Sequence, residues 1–219
     1  MSGRLIAFEG IEGAGKSTQV RLLEERLRAI GEEVLCFREP GGTEFGESVR
    51  ALFKADHPIG ALSELLLIGA SRAHLMRSAV IPALESGAFV LLDRFVDSTV
   101  AYQGFGRGLD IARVDSLNEW VTGGRRPDGV VYLRLEAQDA LARMEARGEP
   151  QDRMERESEA FFERIVDGFD RLARSQADRW RVLDALDPVE TISERVWKWV
   201  RDLGSASAVC EDSNPPGKL

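Results

Sequence analysis

The chain has 219 residues, 43% of them hydrophobic and 30% charged, which suits one globular domain, or two small ones, with a sizeable core. Its formal net charge of −8 argues against non-specific nucleic-acid binding, because that function needs a basic surface. We expect no signal peptide, no membrane span and no disulfide framework, since there are only two distant cysteines; a reducing, cytoplasmic compartment is favoured.

Short apolar runs and helical patterns alternate along the chain. Each apolar run has the length of one buried strand, and each helical pattern places its apolar residues largely on one side. This alternation predicts crossover units and a mainly parallel sheet, which is an α/β fold. In chain order, the predicted elements are a strand at 5–8, a helix at 17–30, a strand at 34–37, helices at 44–54 and 62–84, a strand at 89–92, a helix at 110–121, a strand at 130–133, helices at 137–146 and 158–177, a short strand at 182–183 and a last helix from 189 to 203.

Two features should interrupt or end this pattern. Pro82 is expected to kink or restart the helix at 62–84 near its end, because proline lacks a backbone N–H. From Gly204 onward the sequence loses its apolar periodicity, so residues 204–219 are predicted to form a disordered tail. A single domain is therefore placed over residues 1–203.

A glycine-rich run directly follows the first predicted strand. It matches the pattern G-x-x-x-x-G-K-[ST], whose glycines let successive backbone N–H groups converge on phosphate oxygens. The lysine would reach the outer phosphates, the serine would offer a hydroxyl to Mg²⁺, and the next helix would direct its positive end at the same anion. The alternative is a glycine-rich turn that binds nothing. The run consists of Gly10, Ile11, Glu12, Gly13, Ala14, Gly15, Lys16 and Ser17.

Two further polar clusters stand where predicted strands end, which is the ligand-binding edge of a parallel sheet. Residues 38–43, Arg-Glu-Pro-Gly-Gly-Thr, follow the second strand, and Arg50 follows on the next helix. Asp93 ends the third strand at a position suited to holding Mg²⁺, with Arg94 beside it to clamp a phosphate. In the alternative interpretation, Asp93 only caps the next helix.

Four arginines surround a predicted loop at Gly148-Glu149-Pro150. Arginines on a loop that closes over a triphosphate would neutralise the charge that develops in the transition state. Acidic residues are interleaved with them, however, as on a solvent-exposed helix face laced with salt bridges. Composition alone favours the exposed face. The arginines are Arg143, Arg147, Arg153 and Arg156.

Together these segments resemble the bacterial thymidylate kinase family, from about residue 4 to residue 203. The likeness is carried by Phe8-Glu9-Gly10, by residues 38–43, by residues 93–104 (Asp-Arg-Phe-Val-Asp-Ser-Thr-Val-Ala-Tyr-Gln-Gly) and by Leu183-Asp184-Ala185. The resemblance implies the three-layer fold of P-loop nucleoside monophosphate kinases, with a five-stranded parallel sheet covered by helices and a mobile lid at about 143–157. It implies phosphorylation of dTMP to dTDP by ATP with Mg²⁺, and a homodimer.

The resemblance also assigns roles to individual residues. ATP would be held by residues 10–17, and Glu12 would lie near the acceptor sugar. Since the phosphate-binding loop contains no arginine, Arg153 of the lid would supply charge in the transition state. The expected catalytic residues are Lys16, Arg94, Arg153 and Glu12; the expected metal ligands are Ser17 and Asp93; the expected dTMP contacts are Arg50 and Arg94 (phosphate), Arg72, Thr99 and Gln103 (base), Tyr102 and Glu12 (sugar), and Ile68.

One position departs from the family in a way that bears on the base. Ile68 stands where members usually carry a phenylalanine that stacks on thymine, so a ring-stacking contribution of roughly 0.5–1.5 kcal/mol is lost. Two alternative functions stay open, the first of them because of Ile68. One is another nucleoside monophosphate or deoxynucleoside kinase, and the other is a P-loop protein that binds nucleotide as a regulatory switch.

Overall fold

The computed structural model describes residues 3–55, 58–148 and 150–208 of the chain. The sheet is built from β1 (Arg4–Glu9), β2 (Val34–Arg38), β3 (Phe89–Asp93), β4 (Gly129–Arg134) and β5 (Trp180–Asp184). All neighbouring strands run parallel, in the order β2-β3-β1-β4-β5. The predicted five-stranded parallel sheet is thereby confirmed.

Helices surround the sheet. Successive side chains of a strand point to opposite faces, and residues 5–8 of β1 all have 0% exposure, so both faces of the central strand are covered. This double cover explains the continuous apolar run in the sequence. The helices are α1 (Lys16–Ala29), α2 (Glu44–Lys54), α3 (Ala61–Leu75), α4 (Ile81–Glu85), α5 (Val96–Thr99), α6 (Ile111–Thr122), α7 (Ala137–Ala146), α8 (Glu159–Ser175) and α9 (Val189–Ala208).

Side-chain caps start several of these helices. Thr43 accepts a hydrogen bond from the backbone N–H of Gly46 at the start of α2, and Asp110 accepts one from Arg113 at the start of α6. The cap on α2 sets where that helix begins, and therefore which of its residues face the cavity described below.

Two π-helical turns interrupt the helical segments. Met76–Val80 joins α3 to α4, and Val100–Gly106 continues α5. The interruption predicted at Pro82 therefore lies in the preceding turn, while Pro82 sits at the start of α4, where its missing N–H costs little. The second π-helical turn, residues 100–106, packs against α8, and π-turns of this kind are frequent at functional sites.

The last helix runs further than its sequence predicts. The sequence places the start of the tail at Gly204, but α9 continues to Ala208. The remainder of the predicted tail, residues 209–219, lies outside the described residues. The predicted domain boundary at residue 203 therefore falls inside α9.

Candidate active site

A cavity of about 460 Å³ opens at the edge of the sheet where β1, β2 and β3 end. In the strand order, β2 and β3 lie on one side of the central strand β1, whereas β4 and β5 lie on the other. Parallel sheets bind ligands at the point where the strand order reverses in this way. Residues from the glycine-rich loop, the ends of β2 and β3, α2, α3 and the segment between α7 and α8 form its walls. The clusters that the sequence singled out separately therefore meet in one place.

The glycine-rich loop has the backbone that its sequence predicts. Gly10 has φ 139°, and a side chain there would place its Cβ 2.5 Å from the carbonyl oxygen of Leu133. Gly15 precedes α1 in the left-handed conformation, with φ 89°. Within the described part of the chain, no side chain caps this helix end and no acidic residue lies in its first turn. The N-terminal N–H groups are thus available to an anion.

Lys16 lies beneath this loop. Its Nζ donates hydrogen bonds to the carbonyl oxygens of Gly10 (3.0 Å) and Ile11 (2.8 Å), so the charged end is held at the loop. Burial, together with the nearby charge of Arg94, lowers the pKa of Lys16 to about 8. Negative phosphate oxygens would favour the charged form of this lysine.

Ser17 and Asp93 form the candidate magnesium position. The Ser17 Oγ donates to Asp93 Oδ2 over 2.5 Å, and both residues line the cavity. A hydroxyl and a carboxylate are hard oxygen ligands, and Mg²⁺ is commonly held by one or two carboxylates together with substrate phosphates. The pair therefore fits the expected metal. The alternative role of Asp93 as a helix cap is not seen, because α5 begins without a side-chain cap among the described residues.

Glu12 connects the glycine-rich loop to the chain after β3. Its carboxylate accepts hydrogen bonds from Arg94 Nη2 (2.7 Å) and from the Tyr102 hydroxyl (2.6 Å). Burial alone would raise the pKa of Glu12, but the charges of Arg94 and Lys16 outweigh burial and lower it. Arg94 itself has φ 74°, a left-handed conformation that is rare outside glycine and that concentrates at functional sites.

Arg72 is the largest fully buried side chain among the described residues, with 1% exposure. Its guanidinium pairs with Glu39 (2.6 Å) and donates to Thr99 Oγ1 (2.9 Å), Asn118 Oδ1 (2.7 Å) and the carbonyl oxygen of Phe95 (3.0 Å). These four partners fix the plane of the guanidinium at the cavity wall. Arg72 is therefore rigid before any ligand arrives.

Arg153 is not among the residues that line the cavity, although its neighbours Asp152 and Met154 are. Its Nη1 pairs with the buried Glu64 over 2.7 Å, and its guanidinium lies 5.9 Å from the ring centre of Phe53. Arg147, which ion-pairs with Glu155 (2.5 Å), does line the cavity. Arg143 instead joins α7 to the glycine-rich loop, donating to the carbonyl oxygens of Gly13 and Ala185. Each of these arginines therefore makes its own contacts, and they do not share one common helix face.

The cavity gathers most of the residues predicted from the sequence. Four predicted residues are not on its wall, namely Gly10, Ile11, Ala14 and Arg153. Phe53 and Lys54 were missed, although they follow Arg50 by three and four residues on α2 and so share its face. The predicted residues on the cavity wall are Glu12, Gly13, Gly15, Lys16, Ser17, Arg50, Ile68, Arg72, Asp93, Arg94, Thr99, Tyr102 and Gln103.

This fold and this loop define a P-loop phosphotransferase whose cavity is also lined by arginines. The family model for thymidylate kinase matches residues 8–196. The chain belongs to the thymidylate kinase family and is thus a nucleoside monophosphate kinase. The resemblance inferred from the sequence is confirmed.

Individual relatives cover almost the whole chain. A thymidylate kinase of Methylococcus capsulatus is 43% identical over 194 residues, which are 89% of this chain and 93% of the relative. One of Pseudomonas fluorescens is 45% identical over 196 residues, with the same two shares covered. A crystal structure of thymidylate kinase from Ehrlichia chaffeensis superposes with a TM-score of 0.75 at 34% identity, covering 92% of this chain and 100% of that one. None of the described helices is long and apolar enough to cross a membrane.

Proposed function

We propose that this protein transfers the γ-phosphoryl group of ATP to dTMP, forming ADP and dTDP for dTTP synthesis. The observation that carries the proposal is the contact between Glu12 and Arg94. Glu12 belongs to the loop that binds the donor phosphates, and Arg94 belongs to the arginine-lined acceptor side. A direct ion pair between the two sides supports two phosphate sites that would lie within reach of one transfer.

ATP would lie with its phosphates on the glycine-rich loop, residues 10–17. Lys16 and the free N–H groups at the start of α1 would hold the outer phosphates. Ser17 and Asp93 would hold Mg²⁺, which neutralises phosphate charge and orients the transferred group when it is bound. Ser17 lies on α1 and Asp93 ends β3, so the two would hold the ion from separate elements.

The acceptor would lie on the other side of Glu12. Arg50 and Arg94 would bind the dTMP phosphate, and Arg50 is already oriented by donating to the carbonyl oxygen of Pro40 (3.1 Å). Tyr102 would contact the deoxyribose, close to Glu12. The residues proposed to contact the base are Ile68, Arg72, Thr99 and Gln103.

The transfer requires no nucleophile from the protein, since an oxygen of the acceptor phosphate attacks directly. Catalysis then consists of positioning and of stabilising charge. Arg94 is held by Glu12 and by the Gly10 carbonyl oxygen (2.9 Å), so it needs little reorganisation to stabilise a phosphate that gains charge.

Product analysis tests this proposal. The full-length protein is incubated with ATP, Mg²⁺ and each of dTMP, dUMP, dCMP, dGMP and AMP, and the nucleotides are separated by anion-exchange chromatography. We expect ADP and dTDP in equal amounts, with dUMP used about 10–200-fold less efficiently, because one methyl group in an apolar pocket discriminates by that factor.

The other outcomes separate the alternatives. Preference for a different monophosphate would indicate a kinase with a changed acceptor site, which is the alternative that Ile68 favours. ATP hydrolysis without phosphorylation of any acceptor would indicate a regulatory switch, although a switch has no use for Arg50 and Arg72. Equal kcat/KM for dTMP and dUMP would exclude a pocket fitted to the methyl group.

The protein is also proposed to be a cytoplasmic homodimer. Leu62 and Leu66 are exposed one turn apart on α3, and Trp120, 82% exposed, lies on α6, which packs beside α3. Exposed apolar residues on two adjacent helices are typical of an interaction surface. The free thiol of Cys36 and the nucleotide substrates support a reducing cytoplasmic location.

A further inference from the structure

Glu64 has no exposure to solvent and carries a carboxylate that the reaction described above does not use. It lies on α3, on the same helix face as Ile68 and Arg72, since the three are spaced by four residues. Its oxygens accept from Arg107 Nε and Nη2 (both 3.1 Å) and from Arg153 Nη1 (2.7 Å). Arginine side chains carry only donors, so the carboxylate acts as the hydrogen-bond acceptor in all three contacts.

Gln103 is the third partner of Glu64. Its side-chain Nε2 donates to Glu64 Oε2 over 3.2 Å. The opposite orientation of the amide would bring the Gln103 oxygen against a negative oxygen, which is repulsive. The chemistry of the carboxylate therefore determines which end of the Gln103 amide points away from it.

The other end of that amide, the oxygen Oε1, is left without a partner in the described part of the chain by this arrangement. Gln103 lines the cavity wall, and its Oε1 is buried without a hydrogen-bond partner among the described residues. A buried acceptor left unpaired is costly, so a ligand that supplies an N–H at this point is favoured over one that does not. Thymine and uracil carry an N–H at ring position 3, whereas cytosine carries an acceptor there.

We propose that Glu64 is a positioning residue for base selection: it orients the Gln103 amide so that the oxygen faces the base and rejects cytosine. This inference rests on the proposed function, because it takes the acceptor to be a pyrimidine nucleotide. Glu64 contacts no substrate and acts through Gln103.

Glu64→Gln tests the proposal, because the introduced amide has nearly the same shape as the carboxylate but can donate as well as accept. This amide can then stabilise the flipped orientation of Gln103, which presents Nε2 to the cavity. We expect the ratio of kcat/KM for dTMP over dCMP to fall by about tenfold or more. Loss of the Arg153 contact, or a loss of stability, affects both substrates alike and cancels in this ratio.

Two comparisons show whether Glu64 acts through Gln103. In the Gln103→Leu background there is no amide to orient, so Glu64→Gln should leave the ratio unchanged. Glu157→Gln is the matched control, because Glu157 also pairs with Arg107 (2.6 Å) yet lies outside the cavity wall. It should keep the wild-type ratio. An unchanged ratio in Glu64→Gln, or an equal change in the Gln103→Leu background, would overturn the proposal.

A measurement on the wild-type protein covers the case in which Glu64→Gln does not fold. The side-chain amide signals of Gln103 are assigned in an NMR spectrum by their loss in Gln103→Leu. We expect one of these protons to exchange slowly with solvent, both before and after dTMP is added. Exchange as fast as that of exposed glutamines would contradict the proposal. A wild-type protein that does not phosphorylate dTMP would instead contradict the proposed function.

Discussion

Three glutamates in the interior, Glu9, Glu39 and Glu64, each have 3% exposure or less. A buried carboxylate is tolerated only where donors or opposite charges surround it. Glu39 has Arg72, Glu64 has two arginines, and Glu9 accepts from the backbone N–H groups of Phe95 and Ser98 and from the Ser98 hydroxyl. Each carboxylate thereby holds in place a segment that carries residues proposed to bind nucleotide.

Glu9 makes the stability of the protein depend on pH. Burial and the neighbouring carboxylate of Asp97 raise the pKa of Glu9 from 4.5 to about 7. Between pH 4.5 and about pH 7, Glu9 is therefore protonated in the folded protein and ionised in the unfolded chain. The stabilisation is complete below about pH 4.5 and is lost as the pH rises through about 7.

Glu9→Gln removes this dependence, because the amide does not titrate and can keep hydrogen bonds to Phe95 and Ser98. We expect the difference in the free energy of unfolding, Glu9→Gln minus wild type, to increase by on the order of 2 kcal/mol as the pH rises from 5 to 8. Urea denaturation at several pH values measures this difference. Glu85→Gln on the surface is the control, and parallel curves for Glu9→Gln and the wild type would contradict the expectation.

At the scale of elements, the packing of α8 on residues 100–106 positions the proposed acceptor site, because Tyr102 and Gln103 lie in that π-helical turn. Gly168 allows this contact: a Cβ there would lie 2.7 Å from Phe105 Cδ2 and 3.0 Å from Phe105 Cβ. The atoms close to the backbone of Phe105 cannot yield without moving the turn.

Gly168→Ala is expected to destabilise the protein by about 1–3 kcal/mol and to raise KM for dTMP. Gly69→Ala is the matched change in α3, where a Cβ would make an ordinary 3.5 Å contact with Leu117. It should stabilise the protein by roughly 0.5–1 kcal/mol, since alanine is the better helix former. Thermal unfolding distinguishes the two, and equal effects on stability would show that Gly168 is not needed for close packing.

The segment between α7 and α8 carries the proposed lid. Arg153 Nε and Nη2 are buried and have no hydrogen-bond partner within the described ranges, so two donor nitrogens of this arginine are unused while it pairs with Glu64. Unpaired buried donors are unfavourable, which makes a move toward phosphate oxygens favourable.

Arg153→Ala is therefore expected to lower kcat by about 10²–10³-fold, the loss typical of one charge-stabilising donor, while KM for dTMP changes little. Steady-state kinetics with both substrates varied provide the measurement, and Arg147→Ala is compared in parallel because Arg147 already lines the cavity. If kcat changed only in Arg147→Ala, the transition-state charge would belong to Arg147.

At the scale of the whole molecule, the acidic chain gathers several arginines at one edge of the sheet. This local positive charge suits phosphate ligands despite the net charge of −8. The second feature at this scale is the apolar surface on α3 and α6, which a second copy of the chain is proposed to cover.

Trp120→Lys should shift the protein from dimer to monomer, because a charged side chain in an apolar interface must lose its hydration. Sedimentation velocity at several protein concentrations measures the change. Lys198→Glu, an exposed charge change on α9, serves as the control and should leave the wild-type state unchanged. A wild-type protein that sediments as a monomer at all concentrations would contradict the proposed homodimer.

The sequence by itself determined the fold class, the position of the glycine-rich loop after the first strand and most residues of the cavity wall. These features are encoded locally: a strand is an apolar run, the loop is a contiguous motif, and the carboxyl ends of parallel strands necessarily meet at one edge. The alternation of strands and helices was sufficient for the parallel sheet, and the motifs at 10–17, 38–43 and 93–104 were sufficient for the family.

The tertiary structure alone decided which partner each charged side chain takes. In the sequence, Glu64 is an ordinary glutamate near the start of a predicted helix. Arg153 is one of four arginines around a predicted loop. Their ion pair joins residues far apart in the chain, and its geometry depends on how α3, residues 100–107 and the lid pack together. Local patterns specify elements, whereas the burial of a charge is a property of several elements at once, which is why only the folded molecule shows it.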